Sequence, residues 1–122
     1  MQKNSIYIGL IICFISIVGC VQKKYKRVVV VQVNTAHIQQ KIDSVGIRGN
    51  GKPLSWRKDY PMYAVVKDSI YTTTFTIETG YKFVEIKFSM NGELELNDKE
   101  NRRVYFIEGD TTYYNAKYNE IP

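Results

Sequence analysis

Short runs of β-branched and aromatic residues, separated by turn-forming residues, account for most of the chain beyond residue 27. The first run covers residues 27–34, and the second, residues 44–48, leads into a cluster of glycines and a proline at residues 49–53. Strand segments of this kind, with turns about every 8–12 residues, are typical of antiparallel sandwiches and barrels. Because a sandwich of about seven strands needs about 100 residues, the pattern predicts an all-β sandwich.

The second half of the chain continues this pattern. Residues 70–78 are rich in threonine and aromatic residues, and their side chains are predicted to alternate between the two sides of a strand. Asn91-Gly92 favours a two-residue hairpin turn. Residues 35–43 predict a loop or a single turn, and the tyrosine-rich tail after Gly109 does not decide between a loop and an edge strand. The remaining predicted strands are residues 81–89, 93–96 and 103–107.

The first nineteen residues form the three zones of a secretory signal peptide. A short polar start precedes an apolar stretch at residues 6–18, which is too short to span a bilayer as a helix of about 20 residues. The stretch ends in Ile17-Val18-Gly19-Cys20, which resembles the lipobox of bacterial lipoproteins. The resemblance implies cleavage after Gly19 and a diacylglyceryl group on the Cys20 sulfur. The alternative, a buried N-terminal helix with an ordinary cysteine, is disfavoured by the charged residues that follow.

Removal of residues 1–19 leaves Cys20 as the only cysteine, because Cys13 lies in the discarded segment. No disulfide is then expected within the mature protein, and the fold depends on its apolar core. We expect residues 20–27 to form a lipidated tether and residues 28–122 to form the domain. The tether is either a solvated linker or an aid to membrane binding, since each basic residue near an anionic leaflet adds about 1 kcal/mol of attraction. Its basic residues are Lys23, Lys24, Lys26 and Arg27.

The predicted lipid also sets the expected location. Two or three acyl chains make a stable anchor, so the membrane is an expected partner and the cell envelope is the expected compartment. Val21 is not the acidic residue that some Gram-negative bacteria use to retain a lipoprotein in the inner membrane. We therefore expect an outer-membrane location if the source is Gram-negative.

The polar residues form no pattern typical of catalysis or of nucleic-acid binding. The chain carries 17 basic and 12 acidic residues, a net charge of +5, but the basic residues are interspersed with acidic ones. His37 has no cysteine or carboxylate at metal-ligand spacing, so neither a metal nor a cofactor is expected. Glu93 and Glu95 would share one face of a strand, which favours solvated surface over an acid–base pair. We predict a binding protein and not an enzyme.

Four segments in order resemble the starch-binding domain family, carbohydrate-binding module family 20. The resemblance covers residues 28–106 and rests on the order and spacing of the segments more than on any one of them. It implies an antiparallel β-sandwich of immunoglobulin-like topology that binds α-glucans without catalysis. The four segments are Val45-Gly46-Ile47-Arg48-Gly49-Asn50, Pro53-Leu54-Ser55-Trp56, Glu85-Ile86-Lys87-Phe88 and Glu95-Leu96-Asn97-Asp98-Lys99-Glu100-Asn101-Arg102.

The resemblance also implies a sugar site. In this family two tryptophans form a stacking platform, aided by a lysine and an asparagine, because sugar rings stack on aromatic rings while their hydroxyls need fixed hydrogen-bond partners. The matching residues are Trp56, Lys87 and Asn101. The second tryptophan position falls on Leu94 or Leu96, so half of the platform is missing.

Each of these residues also has a purely structural interpretation. Trp56 is suited to closing one end of the sandwich, Lys87 to an outward position on a strand, and Asn101 with Arg102 to capping a turn. We therefore expect a lipid-anchored glycan-binding module, or the same fold without sugar binding in an envelope protein-interaction or structural role. An exposed Trp56 ring beside Lys87 and Asn101 favours the first, and a buried ring favours the second.

Overall fold

The structure is a computed structural model that describes residues 23–122, and the predicted signal peptide and Cys20 lie outside this range. The described residues form nine strands and no helix, which confirms the all-β prediction. Seven of the strands have four or more residues, and two have only two residues. In chain order they are β1 (Tyr25–Asn34), β2 (Val45–Gly49), β3 (Tyr60–Pro61), β4 (Tyr63–Val66), β5 (Ile70–Thr79), β6 (Phe83–Met90), β7 (Glu93–Leu94), β8 (Arg102–Tyr105) and β9 (Thr112–Lys117).

The first sheet has the strand order β4-β5-β1-β9. β1 and β5 are antiparallel along their full length, from Tyr25 opposite Thr79 to Asn34 opposite Ile70. β9 lies parallel to β1 at the edge, with Thr112 opposite Val29. The tyrosine-rich tail therefore is an edge strand, and its parallel pairing is an exception in an otherwise antiparallel fold.

The second sheet has the order β3-β2-β6, and β7 and β8 both pair with the far side of β6. β7 and β8 occupy opposite ends of β6, because β7 pairs with Ser89–Met90 and β8 with residues 83–86. Asn91 and Gly92 form the predicted two-residue turn between β6 and β7, with φ angles of 53° and 82°. Both central residues have positive φ, as a type I′ hairpin turn requires.

The core lies between the two sheets, and strand alternation explains its composition. The inward residues of β1 are Val29, Val31 and Val33, all without solvent exposure. From the second sheet, Ile47 and Phe88 are equally buried. The predicted alternation of β5 is confirmed, because its odd-numbered residues from Tyr71 to Ile77 are buried. The described fold lies entirely within residues 23–122. No helix within residues 23–122 is long and apolar enough to cross a bilayer.

The strands differ in several places from the sequence prediction. The strands predicted at residues 81–89 and 103–107 are β6 (Phe83–Met90) and β8 (Arg102–Tyr105). β1 begins at Tyr25, so residues 25–27 of the predicted tether belong to a strand. β3 and β4 were not predicted, since the residues around Pro61 lack a clear alternation. β7 ends at Leu94 because Glu95 turns inward to a buried ion pair and Leu96 has a φ of 51°.

Candidate functional site

Of the predicted site residues, Lys87 lies on the outer face of the second sheet, while Trp56 lies in the loop between β2 and β3 and Asn101 lies immediately before β8. Along β6, Ile86 and Phe88 point into the core, while Glu85 and Lys87 alternate with them and point outward. Arg48 on β2 lies directly opposite Lys87. Cross-strand neighbours are about 5 Å apart between Cα atoms, so both side chains start at the centre of this face, and their charged groups are held by different loops.

Lys87 is held in place by the loop between β7 and β8. Its Nζ donates hydrogen bonds to the carbonyl oxygens of Leu96, at 3.0 Å, and Lys99, at 2.9 Å. An ammonium group has three donors, so one remains for a ligand. The side chain is partly buried, and these two contacts fix the position of the charge.

Asn101 reaches the same face through Glu85. Its Nδ2 donates to Glu85 Oε2 at 3.1 Å. The other Glu85 oxygen lies 3.5 Å from Nε of Arg103 on β8. The Cα atoms of Glu85 and Lys87, two residues apart on one strand, are separated by about 7 Å. Asn101 therefore lies near Lys87, and it contacts the sheet through the Glu85 carboxylate.

Trp56 is connected to this face by Arg48. The Trp56 carbonyl accepts a hydrogen bond of 3.4 Å from Arg48 Nη1, while Arg48 Nε donates to Asp59 Oδ1 at 2.6 Å. The Arg48–Asp59 ion pair is partly buried, with 19 % and 29 % of the side chains exposed. It holds the loop between β2 and β3 against the sheet. The Trp56 residue is partly buried, which is intermediate between the two expected extremes.

Neither leucine at the second tryptophan position supplies a flat surface. Leu96 is 6 % exposed and lies in the interior. Its backbone N–H donates to the Asn119 side chain at 2.9 Å, which fixes it there. Leu94 is partly buried at the end of β7. Trp56 is therefore the only aromatic residue among the predicted platform positions.

A second aromatic group lies further along the same face, where β6 begins. Phe83 and Tyr105 are cross-strand partners with ring centroids 5.3 Å apart and a tilt of 48°. The Arg103 guanidinium lies 4.9 Å from the Phe83 ring centroid, a cation–π distance. Tyr105 is 60 % exposed, so its ring is open to a ligand.

The prediction of solvated surface at Glu95 is wrong. Glu95 is 2 % exposed, and its carboxylate receives two hydrogen bonds from Arg102, from Nε at 2.7 Å and Nη2 at 2.8 Å. It also accepts the backbone N–H groups of Phe88 and Asn119, each at 2.8 Å. The burial follows from strand direction, because Arg102 starts β8 on its inward side, opposite Ile86. Arg102 is thus a core residue and not a turn cap.

This buried pair shifts the pKa values around it. Burial by itself lowers the pKa of Arg102, but hydrogen bonds to Glu95 and Tyr114 outweigh it, and the pKa is raised. Burial, together with the charges of Glu95 and Glu93, raises the pKa of Tyr118 from 10.0 to about 12.

The raised pKa of Tyr118 predicts a loss of stability at high pH. The folded state holds the phenol proton more tightly than the unfolded state, so this contribution is complete below pH 10 and lost as the pH rises to about 12. Two pKa units correspond to about 2–3 kcal/mol in the free energy of unfolding. Urea denaturation between these pH values should show a smaller decrease for Tyr118→Phe than for the wild type. An equal decrease in both proteins would contradict the assignment to Tyr118.

His37 has a structural contact and is not part of a metal-binding cluster in the described chain. Within residues 23–122 no group of three His, Cys, Asp or Glu side chains is arranged to hold a metal ion. His37 Nε2 lies 2.7 Å from the carbonyl oxygen of Tyr118, so the histidine links the loop after β1 to the C-terminal turn.

Sequence reasoning missed three residues of this face: Arg48, Asp59 and Glu85. Arg48 and Glu85 stood in the segments that carry the family resemblance, and strand alternation places both outward. Asp59 gave no such signal, because its contact with Arg48 depends on the path of the loop from residue 50 to residue 59. No protein-family model matches the chain, and a search of curated proteins finds no match.

Proposed function

We propose that this protein is a membrane-anchored lipoprotein whose β-sandwich binds an α-glucan or a related glycan without catalysis. Cys20 carries the lipid, and the outer face of the second sheet carries the sugar. Trp56 provides the stacking ring, while Lys87 and Asn101 provide hydrogen bonds to sugar hydroxyls. The observation that supports the proposal is that Asn101 contacts Glu85, the outward neighbour of Lys87 on β6, while the Trp56 backbone carbonyl contacts Arg48, the residue opposite Lys87.

The chemistry of this face suits a polyhydroxylated ligand. Fixed donors and acceptors alternate along it: Arg48 with Asp59, then Lys87, then Glu85 with Asn101. Each polar group is already positioned by a hydrogen bond, so little side-chain entropy is lost when a ligand binds. With one tryptophan in place of two, the contact area on a sugar chain is small, and we expect weak binding.

Affinity electrophoresis tests the glycan site. The soluble chain, residues 21–122, is run through native gels that contain amylose, amylopectin, glycogen or an unrelated β-glucan. We expect retardation by the α-glucans and a loss of affinity of about thirtyfold in Trp56→Ala, since removal of a central aromatic contact costs about 2 kcal/mol. Urea denaturation shows whether the variant remains folded.

Tyr113→Ala is the matched control. Tyr113 is 68 % exposed but lies on β9 of the other sheet, so its loss removes an exposed aromatic ring without touching the proposed site. The control should be retarded as strongly as the wild type. Equal mobility of the wild type in all gels would refute glycan binding for these ligands.

Detergent phase partition tests the anchor. In the native host, the wild type should enter the detergent phase after signal-peptide cleavage, because two or three acyl chains confer stable membrane association. Cys20→Ser removes the acylated sulfur, so we expect the variant to remain in the aqueous phase or to keep its leader. Mass spectrometry of the N-terminal peptide identifies the lipid. A mature wild-type chain without acyl groups would refute the anchor.

The second candidate function is protein interaction in the envelope, and the β4 edge favours it. All four residues of β4 are exposed, including Tyr63, Val65 and Val66 at 65 %, 61 % and 50 %. β4 pairs only with β5 among the described strands, and an exposed apolar edge is a template for strand addition. If no glycan binds, photo-crosslinking tests this candidate. A crosslinker at position 65 on β4 should capture an envelope protein, and one at the similarly exposed position 121 should not.

A further inference from the structure

One end of the sandwich, which we call the tether end, consists of residues 23–28, 78–83 and 105–111. Strand pairing brings these segments together: Tyr25 lies opposite Thr79, and Phe83 lies opposite Tyr105. β9 starts immediately after the third segment and pairs with β1 at Val29. The tether end is therefore the end at which the chain enters the domain.

The tether end exposes large apolar side chains. Tyrosine predominates among them, and tyrosine is enriched at membrane–water interfaces because its ring is apolar while its hydroxyl remains hydrated. Scattered single apolar residues are common on protein surfaces, but here five lie at one end of one domain. They are Tyr25, Val28, Tyr81, Tyr105 and Ile107, which are 52 %, 38 %, 72 %, 60 % and 52 % exposed.

The same end is basic. It contains five cationic residues, against the three acidic residues Glu78, Glu108 and Asp110. Cations close to an anionic lipid surface are attracted to it over a Debye length. The cationic residues are Lys23, Lys24, Lys26, Arg27 and Lys82.

Arg27 is the most specific feature of this end. It continues the inward row of β1 beyond the core, and its guanidinium lies 5.3 Å and 5.8 Å from the ring centroids of Tyr25 and Phe106. Within residues 23–122 it forms no ion pair, and its buried Nε has no hydrogen-bond partner. It lines an open cleft of about 470 Å³ with residues 25–28 and 109–111. The arginine as a whole is only partly buried, so its charge is available to an anionic oxygen in this cleft.

The length of the chain before β1 brings the tether end close to the membrane. Only four residues separate Cys20 from Tyr25. Five residue steps span at most about 18 Å, so a lipid on Cys20 keeps the tether end within that distance of the bilayer. This step rests on the lipid anchor of the proposed function.

We propose that the tether end docks on an anionic lipid surface, with its tyrosines at the level of the headgroups and Arg27 and Lys82 directed to lipid phosphates. Docking in this orientation sets the strands of both sheets upright on the membrane. The central part of the outer face, at Arg48 and Lys87, then remains accessible from the side. The domain is held at a defined angle instead of moving freely on its tether.

Hydrogen–deuterium exchange on vesicles tests the docking surface. The chain from residue 20 is coupled through the Cys20 thiol to a maleimide phospholipid, so the test does not depend on lipidation in the cell. We expect amide exchange at residues 80–83 and 105–111 to slow by about fivefold or more on vesicles containing phosphatidylglycerol. Exchange at residues 67–69, in the turn between β4 and β5, should not change. Vesicles of phosphatidylcholine alone should give much weaker protection.

A pair of charge reversals provides the matched control. Lys82→Glu places a negative charge at the tether end, and Lys67→Glu makes the same change of net charge on an exposed turn elsewhere. The first should abolish the protection and the second should retain it. Protection that is absent, equal on neutral vesicles, or equally sensitive to both variants would overturn the proposal. These outcomes are independent of acylation in the cell and of binding to α-glucans, which the two earlier experiments measure.

Discussion

Arg102→Met should destabilise the protein by about 3–5 kcal/mol, because it leaves the Glu95 carboxylate buried without its cation. The side chains of the pair are 1 % and 0 % exposed. Arg102 Nη2 also donates to the carbonyl oxygens of Lys117 and Glu120, at 2.9 Å and 2.7 Å, so the substitution removes partners from the C-terminal turn as well. A domain of this size has about 5–15 kcal/mol of total stability. Urea denaturation should therefore show a large decrease in the transition midpoint.

Arg103→Met is the control for this prediction. Arg103 is the next residue on β8, but it points outward, and its ion pair with Glu85 is solvent-exposed at 55 % of the arginine side chain. Exposed ion pairs contribute about 0–1 kcal/mol, so the control should remain close to the wild type. Equal destabilisation by the two variants would show that the loss arises from the charge or the strand position and not from burial.

A double variant separates the charge from the hydrogen bonds. In Glu95→Leu/Arg102→Met neither charge is left uncompensated, so the double variant should be less destabilised than the sum of the two single variants. It should not reach wild-type stability, because the backbone N–H groups of Phe88 and Asn119 lose the acceptor that Glu95 provides.

The sandwich could be predicted from the sequence because each strand is recognisable from its own residues, without knowledge of its partner strand. Alternation in β5 and the β-branched composition of β1 are properties of each segment alone. The Asn91-Gly92 turn is equally local, since positive φ at two successive residues selects these residue types. Strand pairing is not local. The parallel contact between β1 and β9 joins residues about 80 positions apart, and nothing within either segment specifies it.

The candidate site was predictable only in part, for the same reason. The outward positions of Lys87 and Glu85 follow from the alternation of β6. The ion pairs do not: Arg48 meets Asp59 because of a loop path, and Glu95 leaves its strand to meet Arg102. The sequence predicts the same solvated strand face for Glu93 and Glu95. In the structure only Glu93 is exposed, because Arg102 points inward and holds Glu95 in the core.

Gly49→Ala should destabilise the protein by about 1–3 kcal/mol through a clash with backbone. A Cβ atom at this position would lie 2.6 Å from the Glu85 carbonyl oxygen and 2.9 Å from Leu54 Cδ1. The leucine side chain has room to rotate, but the carbonyl belongs to the central strand β6 and cannot move without its neighbours. The sequence predicts Gly49 as a turn residue. In the structure it is the buried last residue of β2, where the lack of a side chain lets β2 pack closely against β6 at Glu85. Thermal and urea denaturation measure the loss.

Gly109→Ala shows whether the clash or the backbone conformation is responsible. Gly109 has a φ of 71° and no heavy atom within 4 Å of an added Cβ, so its substitution costs only the left-handed conformation, about 1 kcal/mol.

The two variants also differ in their effect on the proposed site. Asn50, the residue after Gly49, accepts the Glu85 backbone N–H at 2.8 Å, and Glu85 in turn positions Asn101. A displaced β6 at Glu85 therefore moves Asn101, so Gly49→Ala should weaken retardation by α-glucans while Gly109→Ala leaves it unchanged. A Gly49→Ala protein with lower stability and full glycan affinity would place the sugar away from Glu85 and Asn101.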